Sequence, residues 1–431
     1  MPRSSVTAAP RAAKVNDLVR MVGMHESPIA KPIAGGDVAQ WLLGEGRLAP
    51  SIPTMLDELC WRLVGDGVPL CRATLNLETL HPQIQGVMFR WWRERAVTEE
   101  ITYAHGIERS EAYLTSPLYR VAEHGETVRC RIDPGANQFE FPILADLAKL
   151  GATDYVACPM VMSDGQHFPA SWAVDGPGGL SDTQLARITG LMPALSTVVD
   201  AKATRRMAHD LLGTYLGQQV GQRVLSGQIR RGEGERRFAV IWYSDLRRST
   251  TLADPLPDDD FFELLNDYFD CAAGAVLAHG GEVLRFVGDA VLGVFEIVEP
   301  ETSISAACGR AYQAARAALA AKAELDRTRG ERGVPTFEFG IGLHYGEVLY
   351  GNIGVPSRLE FSVIGAAANE VSRIEDLCKP LRQPFLVSKR FANEVEAPWI
   401  SMGTHELRGV SQLVEVFALS PDEEDGAGAG I

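Results

Sequence analysis

The sequence predicts a chain of two α+β domains joined by a helical connector. Its 431 residues exceed the length of one ordinary domain, and two domains with connecting segments are the usual arrangement at this length. Hydrophobic residues make up 46% and charged residues 23% of the chain, which provides apolar side chains for two cores. Helical and strand-like hydrophobic periods alternate in both halves, so we expect mixed α and β structure in each domain.

Both ends of the chain have compositions typical of flexible segments. Residues 1–35 are rich in Pro, Ala and Gly, and no apolar segment follows their basic start, so we expect a flexible leader without a secretory signal. Residues 421–431 are acidic and then rich in Gly and Ala, which favours a flexible, solvated tail. No run of about 18 apolar residues occurs, so the sequence predicts no membrane-spanning helix.

The charge and the cysteines argue against several classes of function. A formal net charge of −15 disfavours nucleic-acid binding, which needs a basic surface. An anionic substrate would need local Arg and Lys side chains, or bound cations, to offset the same charge. Seven cysteines are dispersed without CxxC or His-paired spacing, so we expect reduced thiols in a cytoplasmic protein and no zinc site.

Residues 36–201 carry the pattern of a small α+β domain. Two apolar stretches have helical spacing, and four shorter ones have strand-like alternation. The helices are predicted over 55–63 and 185–198, and the strands over 73–77, 127–131, 155–162 and 170–174. In this order of elements, and in its position ahead of a second domain, the segment resembles a GAF-type domain. The resemblance implies a sensor that binds an unknown small ligand; a dimerisation scaffold without a ligand is the alternative.

Residues 202–232 predict a helical linker between the two domains. Apolar residues recur there at spacings of four or five, from Met207 to Ile229, and Gly232 marks a break at the end of the segment. Such a helix either pairs with its twin in a dimer or packs as a single amphipathic helix on its own domain. The sequence leaves both arrangements open.

The second domain, residues 233–420, has the sharpest secondary-structure pattern. A buried strand is followed by a helix, two strands around a Gly-Asp turn, a long Ala-rich helix, two further strands and another helix. The predicted bounds are 238–243, 260–271, 280–295 for the strand pair, 303–327, 337–343, 359–364 and 370–377. The order β-α-β-β-α-β predicts a ferredoxin-like palm with additional elements.

Asp245 and Asp289 are the first candidates for chemistry in this domain. Asp245 ends a buried strand and Asp289 lies in the turn between two others, so both carboxylates converge at one sheet edge if these strands are neighbours. Carboxylates are costly to desolvate in such positions unless a cation meets them. Two aspartates, together with water and substrate phosphates, suit a pair of Mg²⁺ ions. For either residue alone, an exposed turn aspartate without a ligand is the alternative.

Four segments form an ordered set of motifs between residues 236 and 420. They are 244–250 (Ser-Asp-Leu-Arg-Arg-Ser-Thr), 285–291 (Arg-Phe-Val-Gly-Asp-Ala-Val), 340–348 and 361–373. The set resembles the class III adenylate/guanylate cyclase family, whose second motif reads Lys-Phe-Ile-Gly-Asp-Ala-Val and whose last reads Tyr-Thr-Val-Ile-Gly-Asp-Thr-Val-Asn-x-x-x-Arg. Any one segment is a weak signal, whereas the ordered set at family-like spacing is a strong one.

The resemblance implies a nucleotidyl cyclase that forms a 3′,5′-cyclic monophosphate and pyrophosphate from a nucleoside triphosphate. It assigns Asp245 and Asp289 as ligands of two Mg²⁺ or Mn²⁺ ions. It assigns Asn369 to orient the ribose, Arg373 to stabilise the phosphoryl group in transit and Arg408 to bind phosphate. It also implies a head-to-tail homodimer, in which the aspartates come from one subunit and the other residues from its partner.

Two departures from the family motifs bear on the choice of base. Arg285 stands where the family has a base-reading Lys, and Ser362 stands where it has an Asp or Thr. Arg285 donates and Ser362 accepts hydrogen bonds, which suits N1 and the amino group of adenine, and no acidic residue of the guanine-specific kind is visible at these positions. We therefore expect ATP as substrate and cyclic AMP as product. A guanylate cyclase and a catalytically silent nucleotide-binding dimerisation module are the alternatives.

Further departures lie beside the expected site. Arg248 and Ser249 replace the family's Gly-Phe, and Ala366 replaces a common Asp. Because Gly permits close backbone approach to phosphate, Arg248 either weakens that contact or adds a cation to it. These changes are compatible with slow turnover, or with activity that the N-terminal sensor gates.

Overall fold

The computed structural model describes residues 18–133, 135–136, 138–298, 303–410 and 412–420. The chain divides into two units, Met1–Leu211 and Leu212–Ile431. Each unit combines a β-sheet with packed helices, which confirms the predicted α+β class. In the described ranges no helix has both the length and the apolar character that crossing a membrane requires.

An antiparallel sheet of seven strands forms the centre of the N-terminal unit. Its strands are β1 (Val19–Glu26), β2 (Leu70–Glu78), β3 (Gly86–Trp92), β4 (Val97–Tyr103), β5 (Val128–Arg131), β6 (Asp154–Val161) and β7 (His167–Val174). Their order across the sheet is β1-β4-β3-β2-β7-β6-β5, and each neighbouring pair is antiparallel. The unit is therefore a meander-like sheet in which β2 and β7 are central.

Helices cover both faces of this sheet. The helices of the unit are α1 (Val38–Leu43), α2 (Ile52–Gly65), α3 (Glu111–Leu114), α4 (Pro117–His124), α5 (Pro142–Lys149) and α6 (Asp182–Leu216). Side chains of α1, α2 and α6 form the larger core with one face of the sheet, and those of α4 and α5 form a second core with the other face. Alternation along β2 separates the two, because Ala73 and Leu75 face the larger core while Arg72 and Thr74 face the opposite side.

Two predicted boundaries of the N-terminal half need correction. Residues 1–35 were expected to form a flexible leader, but Val19–Glu26 is the edge strand β1, paired with β4. Most of its side chains are exposed, so it lacks the alternation that signals a strand in sequence. Residues 1–17, and the acidic tail predicted over 421–431, lie outside the described residues.

The predicted linker helix over 202–232 is also wrong as a single element. Helix α6 continues without interruption from Asp182 to Leu216, so residue 202 lies inside it. Gly217 then ends the helix with φ 89°, a left-handed conformation that glycine adopts without strain. A shorter helix, α7 (Gln218–Leu225), follows, and its Val220 is buried in the core of the C-terminal unit.

An eight-stranded sheet forms the centre of the C-terminal unit. Its strands are β8 (Gly234–Leu246), β9 (Glu282–Val287), β10 (Ala290–Glu296), β11 (Phe339–Val355), β12 (Arg358–Ile364), β13 (Phe385–Ser388), β14 (Trp399–His405) and β15 (Val414–Leu419). The strand order is β14-β15-β13-β11-β8-β10-β9, and β12 pairs with the second half of β11. Its further helices are α8 (Ser249–Ala253), α9 (Asp258–Ala278), α10 (Ile304–Arg332), α11 (Ala366–Cys378) and α12 (Lys389–Ala392).

The predicted βαββαβ palm is present in this unit. Its elements follow in the order β8-α9-β9-β10-α10-β11, and β8 lies between β10 and β11 at the centre of the sheet. Val240 and Trp242 of β8 pack with α9 and α10, whereas Ala239 and Ile241 pack with α11 on the opposite face. The alternation of β8 therefore fixes which of its side chains point toward α11.

Helix α11 packs unusually close to β11 because two glycines face it. A Cβ at Gly342 would lie 2.7 Å from the carbonyl oxygen of Val371 and 2.9 Å from the amide nitrogen of Glu375. Both are backbone atoms of α11, so no side-chain rotation relieves the overlap. The Gly340–Gly342 segment therefore sets the distance between the sheet and the helix.

We expect Gly342→Ala to lower the free energy of unfolding by about 1–3 kcal/mol, because the helix must move away from the sheet. Gly309→Ala is the matched control, since a Cβ there meets nothing within 4 Å on α10. This control should stabilise the protein by about 0.5–1 kcal/mol, because alanine has the higher helix propensity. Calorimetric unfolding of the full chain measures both, and equal stability of the two variants would contradict the close packing of α11.

Candidate active site

Asp245 and Asp289 lie next to each other at one end of the central strands. Asp245 is opposite Ala290 in the β8–β10 ladder, and Asp289 immediately precedes Ala290 in the turn from β9. The amide of Leu246 donates a hydrogen bond to the carbonyl oxygen of Asp289 at 3.4 Å, which ties the strand end to the turn. Side chains alternate between the two faces of a strand, and Asp245 is an even number of residues from Ala239 and Ile241. Its side chain therefore points to the same face as theirs, the face covered by α11. The expected convergence of these two carboxylates is thus met by the fold.

Asp245, Asp289 and Glu375 form a group of neighbouring carboxyl groups, whose like charges repel one another. Burial, and then the charge of Asp289, raise the pKa of Asp245 to about 6. Glu375 of α11 is 6% exposed, and burial followed by the charge of Asp245 raises its pKa to about 8. Carboxylates held together in this way favour either protonation or a bound cation.

The donor set fits a hard divalent cation. Both aspartates offer carboxylate oxygens, which are the ligands that Mg²⁺ and Mn²⁺ prefer. In the described part of the chain, no group of three or more His, Cys, Asp or Glu side chains is arranged to hold a metal ion. A cation at Asp245 and Asp289 would therefore take its remaining ligands from water and substrate, as Mg²⁺ commonly does.

A cleft of about 1410 Å³ opens beside Asp245 and is lined by charged side chains of both signs. Six basic residues line it: Arg247, Arg248, Arg316, Lys322, Lys379 and Arg382. Five acidic residues line it as well: Asp245, Glu324, Glu338, Glu375 and Asp376. The cleft is therefore less acidic than the chain as a whole, whose net charge is −15, and its Arg and Lys side chains are available to an anionic substrate.

Arg248 adopts a backbone conformation that glycine favours. Its φ is 59°, in the left-handed region, and it precedes the short helix α8. The family motif has Gly at this position, and the structure keeps the corresponding backbone geometry with an exposed arginine in its place. The substitution therefore adds a cation to the cleft while it retains the turn.

Arg285 is held by an acidic partner that the sequence analysis did not identify. In the ladder of β9 with β10, Arg285 pairs with Leu292 and Val283 pairs with Gly293. Leu284, between them, has no partner and forms a β-bulge. Arg285, opposite Leu292, thereby lies on the α11 face, where Nη1 donates to Oε1 of Glu360 on β12 at 2.7 Å. No local pattern predicts this pair, because its members are 75 residues apart in the sequence.

Ser362 lies on β12, two residues beyond Glu360 and on the same face of the strand. It is 1% exposed, and among the described residues its hydroxyl has no hydrogen-bond partner. The Nε of Arg285 is also enclosed and unpartnered within the same ranges. Buried polar atoms without partners are costly, so both groups have unused capacity for a ligand.

Asn369, Arg373 and Arg408 are accessible but are not joined to the aspartates. Asn369 and Arg373 are one turn apart on α11, and Arg373 donates to Asp376 at 2.8 Å. Arg408 is exposed in the turn between β14 and β15. In the described residues, no hydrogen bond or ion pair connects these three side chains with Asp245 or Asp289. A single chain thus presents two separate groups of candidate residues.

Sequence reasoning also missed Glu375, although a signal for it exists. Val371, Ile374 and Cys378 form the buried stripe of α11, and Glu375 occupies the remaining position of that i, i+3, i+4, i+7 pattern. An acidic residue inside an apolar stripe indicates a buried carboxyl with a special environment.

Residues 236–391 match the family model described as adenylate and guanylate cyclase catalytic domain. This segment is a class III nucleotidyl cyclase catalytic domain. The match includes both aspartates and α11, and it confirms the resemblance seen in the motifs. Domains of this family bind a nucleotide substrate and work as dimers.

Curated relatives of the cyclase domain are themselves uncharacterized. One from Mycobacterium tuberculosis is 32% identical over 234 residues, which cover 52% of this chain and 40% of the relative. One from Mycobacterium bovis is 33% identical over 231 residues, covering 52% of this chain and 38% of the relative. The chain thus spans about 40% of the length of the curated relatives it matches.

Solved structures of cyclases are similar to the chain over part of its length. The guanylyl cyclase Cya2 shares 29% identity with a TM-score of 0.38, covering 43% of this chain and 92% of that protein. The adenylyl cyclase CyaB of P. aeruginosa shares 23% identity with a TM-score of 0.38, covering 44% and 96%. A bacterial light-regulated adenylyl cyclase shares 20% identity with a TM-score of 0.43, covering 59% and 82%.

The raised pKa of Glu375 predicts a pH-dependent effect on stability. Because its folded pKa of about 8 exceeds the ordinary value of 4.5, ionisation of Glu375 weakens the folded cyclase domain as pH rises between these values. Glu375→Gln removes the ionisation and nearly keeps the shape. We expect this variant to unfold at a higher temperature than the parent, with a difference that is small near pH 4.5 and grows toward pH 8.

Thermal unfolding in the presence of a chelator, from pH 5 to pH 8, tests this expectation. Glu331→Gln, at an exposed position of α10, is the matched control and should show a constant difference from the parent. A difference for Glu375→Gln that does not change with pH would contradict the raised pKa of this buried carboxyl.

Proposed function

We propose that this protein converts ATP to 3′,5′-cyclic AMP and pyrophosphate at a homodimer interface. The observation that carries the proposal is the pair Asp245 and Asp289, held side by side within a segment that matches cyclase catalytic domains. Two neighbouring carboxylates of like charge, beside a cleft that Arg and Lys side chains help to line, are suited to a metal-bound triphosphate.

Asp245 and Asp289 would hold the divalent cations of the reaction. When bound, such cations lower the pKa of the attacking 3′-hydroxyl and neutralise charge on the phosphates. The protein supplies the two carboxylates from rigid strand ends, so little reorganisation is needed when substrate arrives. Arg247 and Arg248, which line the cleft, would attract the triphosphate.

The remaining roles follow from the family resemblance. Asn369 would orient the ribose by hydrogen bonding, and Arg373 would stabilise the negative charge that develops on the phosphoryl group. Their spacing of four residues puts both on one face of α11. Arg408, on an exposed turn, would bind the phosphate chain.

A second copy of the chain would complete the site. Asn369, Arg373 and Arg408 make no contact with the aspartates in the described chain, so one subunit alone lacks a full set around one substrate. Exposed apolar side chains lie next to the candidate residues and are suited to an interface: Phe286, Val287, Leu349, Leu359 and Ile364. The head-to-tail arrangement would give two sites per dimer.

Arg285 and Ser362 would read the base. The enclosed hydroxyl of Ser362 and the enclosed Nε of Arg285 offer an acceptor and a donor for the edge of adenine. This pairing supports ATP as the substrate.

GTP is the second candidate substrate, because the carboxylate of Glu360 forms an ion pair with Arg285. Its carboxylate would accept from N1 and the amino group of guanine, while the guanidinium donates to O6. Glu360 thus supplies the acidic group that was not visible at the aligned motif positions.

The N-terminal half is proposed as a sensor that gates the cyclase. We assign the sheet β1–β7 with its helices to a GAF-like sensor, the end of α6 and α7 to the connector, and residues 233–420 to the catalytic domain. The support is an antiparallel sheet with helices on both faces, followed by the helices α6 and α7 that lead into the catalytic strands.

Asp289→Ala should lower the rate of cyclic AMP formation by about 10³-fold or more. The substitution removes a metal ligand, and the bound cations stabilise the charge of the transition state by several kcal/mol. The assay is chromatographic detection of cyclic product from ATP or GTP with Mn²⁺. Asp254→Ala, an exposed acid of the loop after α8, is the control and should retain parental activity. Unchanged turnover in Asp289→Ala would refute the metal role.

The same assay distinguishes the two substrates. Product from ATP, with Glu360→Gln retaining that activity, supports the adenylate cyclase. Product mainly from GTP, lost in Glu360→Gln, supports the guanylate cyclase. Nucleotide binding without product from either triphosphate would instead support a silent binding module.

Mixing two inactive variants tests the shared site. Asp289→Ala and Arg373→Ala should each be inactive alone, while an equimolar mixture should recover up to about a quarter of parental activity through heterodimers with one intact site. Failure to recover activity, when size-exclusion chromatography shows that subunits exchange, would contradict the head-to-tail arrangement.

A further inference from the structure

Arg72 is a buried cation without an acidic partner in the centre of the N-terminal sheet. It lies on β2 and is 7% exposed. Its neighbours in the ladders are Trp92 on β3 and Ala173 on β7. Among the described residues, its guanidinium forms no ion pair and donates no hydrogen bond, and its one marked contact is with the Trp92 ring, whose centroid is 5.4 Å from Cζ.

A guanidinium in such a position needs compensation. Burial is the main cause that lowers the pKa of Arg72, and the nearby Arg90 acts in the same direction. Transfer of an unpaired charge from water into a protein interior is strongly unfavourable, so buried charges are normally paired. The five N–H donors of Arg72 are therefore available to an acceptor that is not part of the described chain.

The neighbouring charges make this region cationic. Arg90 and Arg95 also lie over Trp92, at 5.4 Å and 5.2 Å from the ring centroid. Glu99, 2% exposed, accepts hydrogen bonds from Arg90, Arg95 and the indole of Trp92, so its charge is already compensated. Of the three arginines around this ring, Arg90 and Arg95 pair with Glu99 and Arg72 does not. The excess of positive charge lies at Arg72.

Polar groups extend from Arg72 along the same face of the sheet. The buried hydroxyls of Thr74 and Ser171 are joined by a hydrogen bond of 2.6 Å. Tyr155, 1% exposed, and Tyr103 are close enough to affect the pKa of Arg72. This face therefore combines a free cation with hydroxyl groups, whereas the opposite face of β2 is apolar.

We propose that the N-terminal unit binds a small oxyanion, a phosphate or a carboxylate group, at Arg72. The planar guanidinium pairs with such a group through two parallel N–H···O bonds. The hydroxyl groups beside it would bind the rest of the ligand. The site belongs to the N-terminal unit alone and does not depend on the nucleotide chemistry of the C-terminal unit.

Thermal unfolding of the full-length protein with inorganic phosphate, or with succinate, tests the proposal at constant ionic strength set by NaCl. One of the two probes should raise the unfolding temperature of the parent in a saturable manner, and which one does so identifies the group. Arg72→Met should abolish this rise, and Arg72→Lys should weaken binding about tenfold or more, since an ammonium lacks the planar fork.

Arg95→Met is the matched control. It removes a cation from the same Trp92 ring, but its side chain is 62% exposed and already paired with Glu99. We expect Arg95→Met to retain the rise in unfolding temperature that the anion causes in the parent. The proposal is overturned if neither probe stabilises the parent beyond the NaCl series, or if Arg72→Met and Arg72→Lys retain the parental affinity, which would locate the anion elsewhere.

Discussion

The repulsion between two carboxylates at one end of the central strands governs the C-terminal unit. The β8–β10 ladder puts Asp245 opposite Ala290, and the backbone of the preceding residue, Asp289, is tied to the end of β8 because its carbonyl oxygen accepts from the amide of Leu246. Burial, and then the charge of Asp289, raise the pKa of Asp245. A sheet that holds like charges together is stable only if protons, or a cation, reduce their repulsion.

The packing around this acidic pair follows from the same constraint. Gly340 and Gly342 let α11 approach the sheet until the buried carboxyl of Glu375 lies beside Asp245. Asn369 is exposed on the same helix, and Arg373 pairs with Asp376. No hydrogen bond or ion pair of the described residues joins either side chain to Asp245 or Asp289, which is consistent with a site that two subunits share.

Charge is distributed unevenly in both units. The chain as a whole is acidic, yet basic side chains line the cleft at Asp245, and Arg72 is buried without a partner in the N-terminal sheet. Local fields of this kind decide which ligands approach, because interactions between charges weaken within about 10 Å in salt solution. Net charge alone therefore says little about the ligands of this protein.

The sequence by itself determined the βαββαβ order of the palm, because hydrophobic periods and hairpin turns are local, but it missed β3 and β4 of the N-terminal sheet. It predicted that Asp245 and Asp289 converge if their strands are neighbours, and the β8–β10 ladder meets that condition. Only the tertiary structure decided the partner of Arg285, since a bulge turns it toward Glu360 across 75 residues of chain. The edge strand β1 also escaped prediction, because a strand without a buried face leaves no alternation in sequence.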